Sequence, residues 1–211
     1  MKEGFKLRQA LIIKVLLVVM VFSLGVILGN SWKSDSDVDK LLRASELDAE
    51  SFRVEQELFK NFELNCGFAK KRLGALSEDL GRLGKVLGAD NAREFLGEEF
   101  DFHKKKFHLM QIRTFVLEKK LASDCEDSGN VVLYYYSKND PSSQVQGQIL
   151  DGLVSEFDLH VFAIEYNYSK ELRFLEEYYQ INQTPALVVN FKELLVGPVS
   201  RDNLIPLFQK E

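Results

Sequence analysis

The chain has 211 residues, 45% hydrophobic and 28% charged, which excludes global disorder, and a net charge of −5, which excludes an overall electrostatic footprint for nucleic acid. The charge is unevenly placed: residues 1–30 carry Lys2, Lys6, Arg8 and Lys14 against Glu3, so the remainder is the more acidic. Only Cys66 and Cys125 are present, and His103, His108 and His160 lack the spacing of ligands on one helix face, so neither a metal nor a cofactor is expected.

Residues 10–29 read ALIIKVLLVVMVFSLGVILG, with Lys14 the one charge. Twenty helical residues rise about 30 Å, the thickness of a bilayer's hydrocarbon core. Lys14 is placed to snorkel, and Trp32 stands where an indole suits the headgroups. Cations precede the segment, and Asp35, Asp37 and Asp39 follow it. The positive-inside rule therefore puts residues 1–9 in the cytoplasm and the body outside. A cleaved signal peptide is the alternative, with Gly29-Asn30-Ser31 as its weak cleavage site. The segment is long for that, which favours an uncleaved anchor in the cell membrane.

Residues 34–125 read as a helical stem, a hairpin or small bundle. Its first helical stretch is capped by Ser36 or Asp37 and ends at Cys66. Leu73, Leu76, Leu80, Leu83 and Leu87 alternate three and four apart, the seam of a helix packed on another and a route to coiled-coil homo-oligomers. Gly74, Gly81 and Gly88 each follow a seam leucine, which predicts either close approach of a neighbouring backbone or an interrupted helix. Asp90 or Asn91 then opens a helix running to about Ala122. The run His103-Lys104-Lys105-Lys106, with His108, reads as a solvated helix face.

In a hairpin, Cys66 and Cys125 fall at the same end. An exported body permits oxidation, so a structural Cys66–Cys125 disulfide is expected, closing a loop of about 60 residues. Two free buried thiols, or a redox pair, are the alternatives.

From Asn130 the texture changes. Residues 131–136 (VVLYYY) form a β-rich run, followed by a helix from Pro141, a strand over 159–164 and a helix over 169–179. Two short strands over 186–189 and 194–196 and a helix from Arg201 complete the order β-α-β-α-β-β-α. With Thr184-Pro185 directly before the third strand, this order resembles the thioredoxin fold over about 80 residues. The fold class is thus an α/β thioredoxin-like C-terminal domain (130–211) behind a transmembrane helix and an all-α stem.

The resemblance implies a cis-proline at Pro185, and an extended peptide pairing with the backbone of Thr184. It also implies a site at Asp140-Pro141-Ser142-Ser143, where redox-active members carry Cys-x-x-Cys. Asp140 stands in place of the attacking cysteine and Ser143 in place of the resolving one, so dithiol exchange has no sulfur here. Asp140 and Pro141 alone also make an ordinary helix start. No catalytic residue is assigned.

The expected function is a membrane-anchored, redox-inactive module binding a protein or peptide. The alternative is an exported thiol-disulfide oxidoreductase using Cys66 and Cys125 or a partner's thiols. Asn167-Tyr168-Ser169 and Asn182-Gln183-Thr184 also fit the N-glycosylation pattern.

Overall fold

The computed structural model describes residues 14–24, 26, 53, 65–125 and 129–209. The chain divides into two compact units, Met1–Glu63 and Leu64–Glu211. In the first, residues 14–24 are helical, and Val15 through Phe22 and Leu24 expose large apolar side chains. Among the described residues no helix is long and apolar enough to cross a membrane. The expected span, residues 10–29, runs past the described residues at both ends. The expected opening of the stem at Ser36 or Asp37 lies outside them too.

The second unit opens with α1 (Cys66–Leu87), capped by Asn65, whose side chain accepts from Phe68 N. Cys66 therefore begins a helix, where the sequence reading had it end one; a cap residue directly before it was the overlooked signal. The seam leucines are buried or half-buried, with Leu76 at 3% exposure, and they face a helix of the same chain. Neither expectation for Gly74 and Gly81 holds. The helix passes through both without interruption, and a Cβ at either would meet nothing within 4 Å. Gly88 caps the C-terminus. The close approach occurs at Gly84, where a Cβ would stand 3.3 Å from the Phe107 ring.

The second stem helix is not continuous. After α2 (Ala92–Leu96), Gly97 takes φ +54°, a left-handed conformation that stops a helix and favours glycine. One 3-10 turn (Gly97–Glu99) then leads into α3 (Phe100–Asp124).

The sheet has four strands in the order β2-β1-β3-β4. Strand β1 (Asn130–Tyr136) runs parallel to β2 (Leu159–Glu165) through the crossover helix α4 (Pro141–Phe157). It pairs antiparallel with β3 (Ala186–Val189), which forms a hairpin with β4 (Glu193–Val196). The hairpin turn places Asn190 and Phe191 at positive φ, as a primed turn requires. Asn190 is fixed there by accepting from Val131 N and donating to the Leu207 carbonyl. Helix α6 (Arg201–Phe208) closes the chain. The expected helix over 169–179 shrinks to a 3-10 turn and α5 (Phe174–Tyr178). This strand order and connectivity are thioredoxin-like.

Strand alternation splits the core in two. Val132, Tyr134, Leu187 and Val189 pack against Leu150 and Leu153 of α4 and Leu204 and Phe208 of α6. Val131, Leu133, Tyr135 and Val188 point the other way. There Leu172 and Leu175 cover only part of the face, and Ile112 and Phe115 of α3 cover the rest. The Phe115 ring also meets Phe162 of β2 and Phe191 of the hairpin turn.

Polar contacts fix α3 against β2 in one direction. Lys104, near its start, pairs with Glu165 at the end of β2. Glu118, near its end, receives a 2.7 Å hydrogen bond from His160 Nδ1 at the start of β2. The helix thus runs antiparallel to the strand. The cationic run is solvated only in part: Lys106 is exposed, but Lys104 is mostly buried between Glu165 and the Tyr168 ring, Lys105 pairs with Glu171, and His108 is 1% exposed. Burial lowers the His108 pKa to about 4. The Glu118 side chain raises that of His160.

The Cys66–Cys125 disulfide is present, with a Cα–Cα distance of 5.9 Å, and joins the start of α1 to the end of α3. The hairpin and the sheet share a core within one compact unit.

Three outcomes are expected. Gly74→Ala and Gly81→Ala should each stabilise the fold by about 1 kcal/mol in urea unfolding, because they relieve a helix-interior glycine without a clash. Gly84→Ala should gain less, because its methyl meets Phe107. Replacing both cysteines by serine should cost up to about 4 kcal/mol in the same assay. The histidines should act with opposite sign. The folded pKa of His160 is raised, so its contribution is complete below its unfolded value and lost as pH rises through the raised one. The folded pKa of His108 is depressed, so stability falls as pH drops from about 6.5 towards 4. An NMR titration should show His160 titrating above an ordinary histidine and His108 near 4.

Candidate functional site

The crossover from β1 leads to one side of the sheet, to β2, while β3 lies on its other side. The carboxyl end of β1 therefore corresponds in position to the ligand crevice of open α/β sheets, with an antiparallel strand on one side. Four chain segments meet at this end. Tyr136 leads to the start of α4, and Glu165 leads to Tyr166, whose N–H bonds the Tyr136 carbonyl at 2.9 Å. Thr184-Pro185 precedes β3, and Gly197 follows β4.

The peptide between Thr184 and Pro185 is cis. The Pro185 carbonyl accepts from Gly197 N at 2.8 Å, which fixes the loop after β4 to the loop before β3. Among the described residues no backbone hydrogen bond engages the N–H or the carbonyl of Thr184. That residue lies beyond the end of the β1–β3 pairing, so its backbone groups are left for water or a ligand.

At the same end of the sheet, Asp140 caps α4. Its carboxylate accepts from Ser142 N at 3.1 Å and Ser143 N at 3.2 Å, and from both serine hydroxyls at 2.7 Å. The Ser142 hydroxyl first, then that of Ser143, hold the Asp140 pKa below the usual carboxylate range. Ser143 is 2% exposed; its hydroxyl also accepts from Ser137 N, and its carbonyl accepts from the Tyr134 hydroxyl. Burial pushes the pKa values of Tyr134 and Tyr136 up to about 12, so both remain neutral donors.

The two segments singled out from the sequence thus lie at the same end of the sheet. The arrangement offers an ionised carboxylate, neutral hydroxyls and an unengaged backbone, but no thiol. Cys66 and Cys125 lie elsewhere. Because α3 is antiparallel to β2, its last residue falls beside the start of the strand. The 21 residues from Lys104 to Cys125 rise about 30 Å. The disulfide thus sits at the end of the fold opposite the crevice, where the chain enters the unit.

Sequence reasoning missed Gln146, which is 1% exposed. Its side-chain oxygen accepts from Val199 N at 2.7 Å and fixes the loop after β4 against α4. A polar residue one turn into an apolar helix face was the available signal. Tyr168 was also missed as a framework residue. It lies beneath Lys104 and edge-on to His108, with ring centroids 5.1 Å apart. Asn167 and Asn182 are both exposed.

No family model and no curated protein matches the chain. Among solved structures, a mutant thioredoxin from Halobacterium salinarum NRC-1 is 22% identical, with a TM-score of 0.35, over 42% of this chain and 80% of that one. A structure of a malarial protein is 19% identical, with a TM-score of 0.31, over 37% of this chain and 92% of that one. The thioredoxin-like assignment rests on strand order and connectivity, not on these likenesses.

Replacing Asp140 by Ala should loosen the first turn of α4 and lower stability by about 1 kcal/mol, while Asp140→Asn should cost much less. A loss with Asn as large as with Ala, in urea unfolding, would contradict the capping role.

Proposed function

We propose that the protein is a membrane-tethered, redox-inactive module that holds an extended segment of a partner protein at the crevice between β1 and β3. The observation that carries the reading is Thr184: its backbone is unengaged beside a cis-proline, at the same end of the sheet as a helix start without sulfur. An extended peptide satisfies such groups by adding its own backbone hydrogen bonds, as in strand addition. Dithiol exchange requires an attacking thiolate and a resolving thiol. Asp140 and Ser143 supply neither, and both cysteines are committed to one bridge at the far end.

The tether is residues 10–29. The apolar helical surface over 14–24 and the cationic flank support an anchor with residues 1–9 in the cytoplasm and the body outside. An oxidising exterior suits a disulfide.

Two outcomes are expected. The full chain should stay with the membrane after alkaline carbonate extraction; release into the supernatant contradicts the anchor. In detergent, the full chain should bind extended peptides without reducing insulin, and a peptide N-methylated on its central backbone nitrogens should bind far more weakly. Equal binding of the N-methylated peptide excludes backbone pairing, and insulin turnover excludes a redox-inactive module.

A further inference from the structure

Between β2 and α5, residues 167–171 form a strap laid on the start of α3. Both ends of the strap are pinned. Tyr166 N donates to the Tyr136 carbonyl at 2.9 Å, at the crevice end of the sheet, and Leu172 is buried in the core. Between these pins the backbone makes only a 3-10 turn, and Asn167 takes φ +54°. The hold on α3 is through side chains. The Tyr168 hydroxyl donates to Asp101 at 3.3 Å, which also pairs with Arg93 at 3.6 Å. The Tyr168 ring lies under Lys104 and edge-on to His108. Glu171 pairs with Lys105 at the surface, where an ion pair holds weakly.

His108 is the buried centre of this contact. Its Nδ1 lies 3.2 Å from the Gln111 side-chain oxygen, and its Nε2 is buried with no partner. A neutral ring donating from Nδ1 fits that site. A second proton would put an N–H on Nε2 with no acceptor, and a buried positive charge beside Lys104. Two charges bear on the ring, and neither comes from α1. Lys104 of α3 repels a second cation, and Glu165 at the end of β2 is already paired with Lys104. In the strap, Lys170 is exposed, and Tyr168 stays neutral because burial pushes its pKa up to about 12. On α5, the buried Glu176 accepts from Asn167 N at 2.9 Å. Burial raises its pKa against the pull of Asn167 and Arg173, so its own protonation favours the closed strap.

We propose that His108 is an acid-sensitive release for the strap: on mild acidification its ring takes a proton, Tyr168 lifts off α3, and residues 167–171 swing out between their pins while both cores stay folded. The closed ring takes a proton near 4 and the open ring at its ordinary 6.5. The equilibrium for opening therefore rises about twentyfold through His108 between pH 7 and pH 5. Glu176 works against this, so a chain with a neutral residue at 108 is the reference that isolates the full factor. Glu171 is held down to about 2, by its own backbone N–H first and then by Lys105, and stays ionised over this range.

The test is hydrogen–deuterium exchange of the full chain in phosphatidylcholine nanodiscs at pH 7 and pH 5, corrected for the intrinsic pH dependence of exchange. The Asn167 amide reports on the strap and the β1 amides on the sheet. Between pH 7 and pH 5, protection at Asn167 should fall about twentyfold further in the native chain than in His108→Phe, which keeps a ring that cannot titrate. His108→Gln is the second neutral variant, and protection of β1 at pH 7 shows which variants are folded. Equal pH dependence in the native chain and a folded neutral variant overturns the role of His108. Constant protection at Asn167 in the native chain overturns the release itself. Protection lost equally over β1 means that the whole unit opens, and overturns a local strap.

Discussion

Strand β1 is buried on both faces, and the rest of the unit is arranged around that requirement. A two-sided strand needs an apolar layer on each side. Helices α4 and α6 supply one. The other cannot come from α5, whose five residues cover too little. It comes from α3, contributed by a segment that precedes the sheet in the chain. Phe115 is the centre of this contact, 1% exposed and ringed by Phe162, Tyr179 and Phe191. Burying a side chain of that size is worth about 2–3 kcal/mol. The stem hairpin is therefore structural to the thioredoxin-like domain, since removing α3 would expose one face of β1.

That arrangement also separates two chemistries. The antiparallel course of α3 along β2, fixed by Lys104–Glu165 at one end and Glu118–His160 at the other, carries the disulfide to the entry end of the unit. The crevice end keeps carboxylate, hydroxyl and backbone groups. The start of α4 presents a capped aspartate and two serines, and no sulfur.

Much of this was legible in the sequence where the signal was local. Residues 131–136 declare a buried strand, Asp140-Pro141 a helix start, and Thr184-Pro185 the turn into β3. The disulfide followed from hairpin reasoning even though Cys66 was placed at the wrong terminus of a helix. What failed was non-local. The partners of Lys104 and Lys105, Glu165 and Glu171, lie more than sixty residues away, so a clasp onto the sheet domain read as a solvated face. The seven-residue glycine spacing suggested a packing role for Gly74 and Gly81, whereas the glycine in contact is Gly84, outside that series. The break at Gly97 depends on its positive φ, which no apolar periodicity reports.

The account is tested most directly by hydrogen–deuterium exchange of the full chain in nanodiscs, with and without a saturating extended peptide. Protection is expected over residues 182–186 and 137–143, with no change at Cys66–Leu73 or at Leu121–Cys125. Protection confined to the disulfide end, or spread evenly over the unit, would contradict a peptide-binding crevice at the β1–β3 switch point.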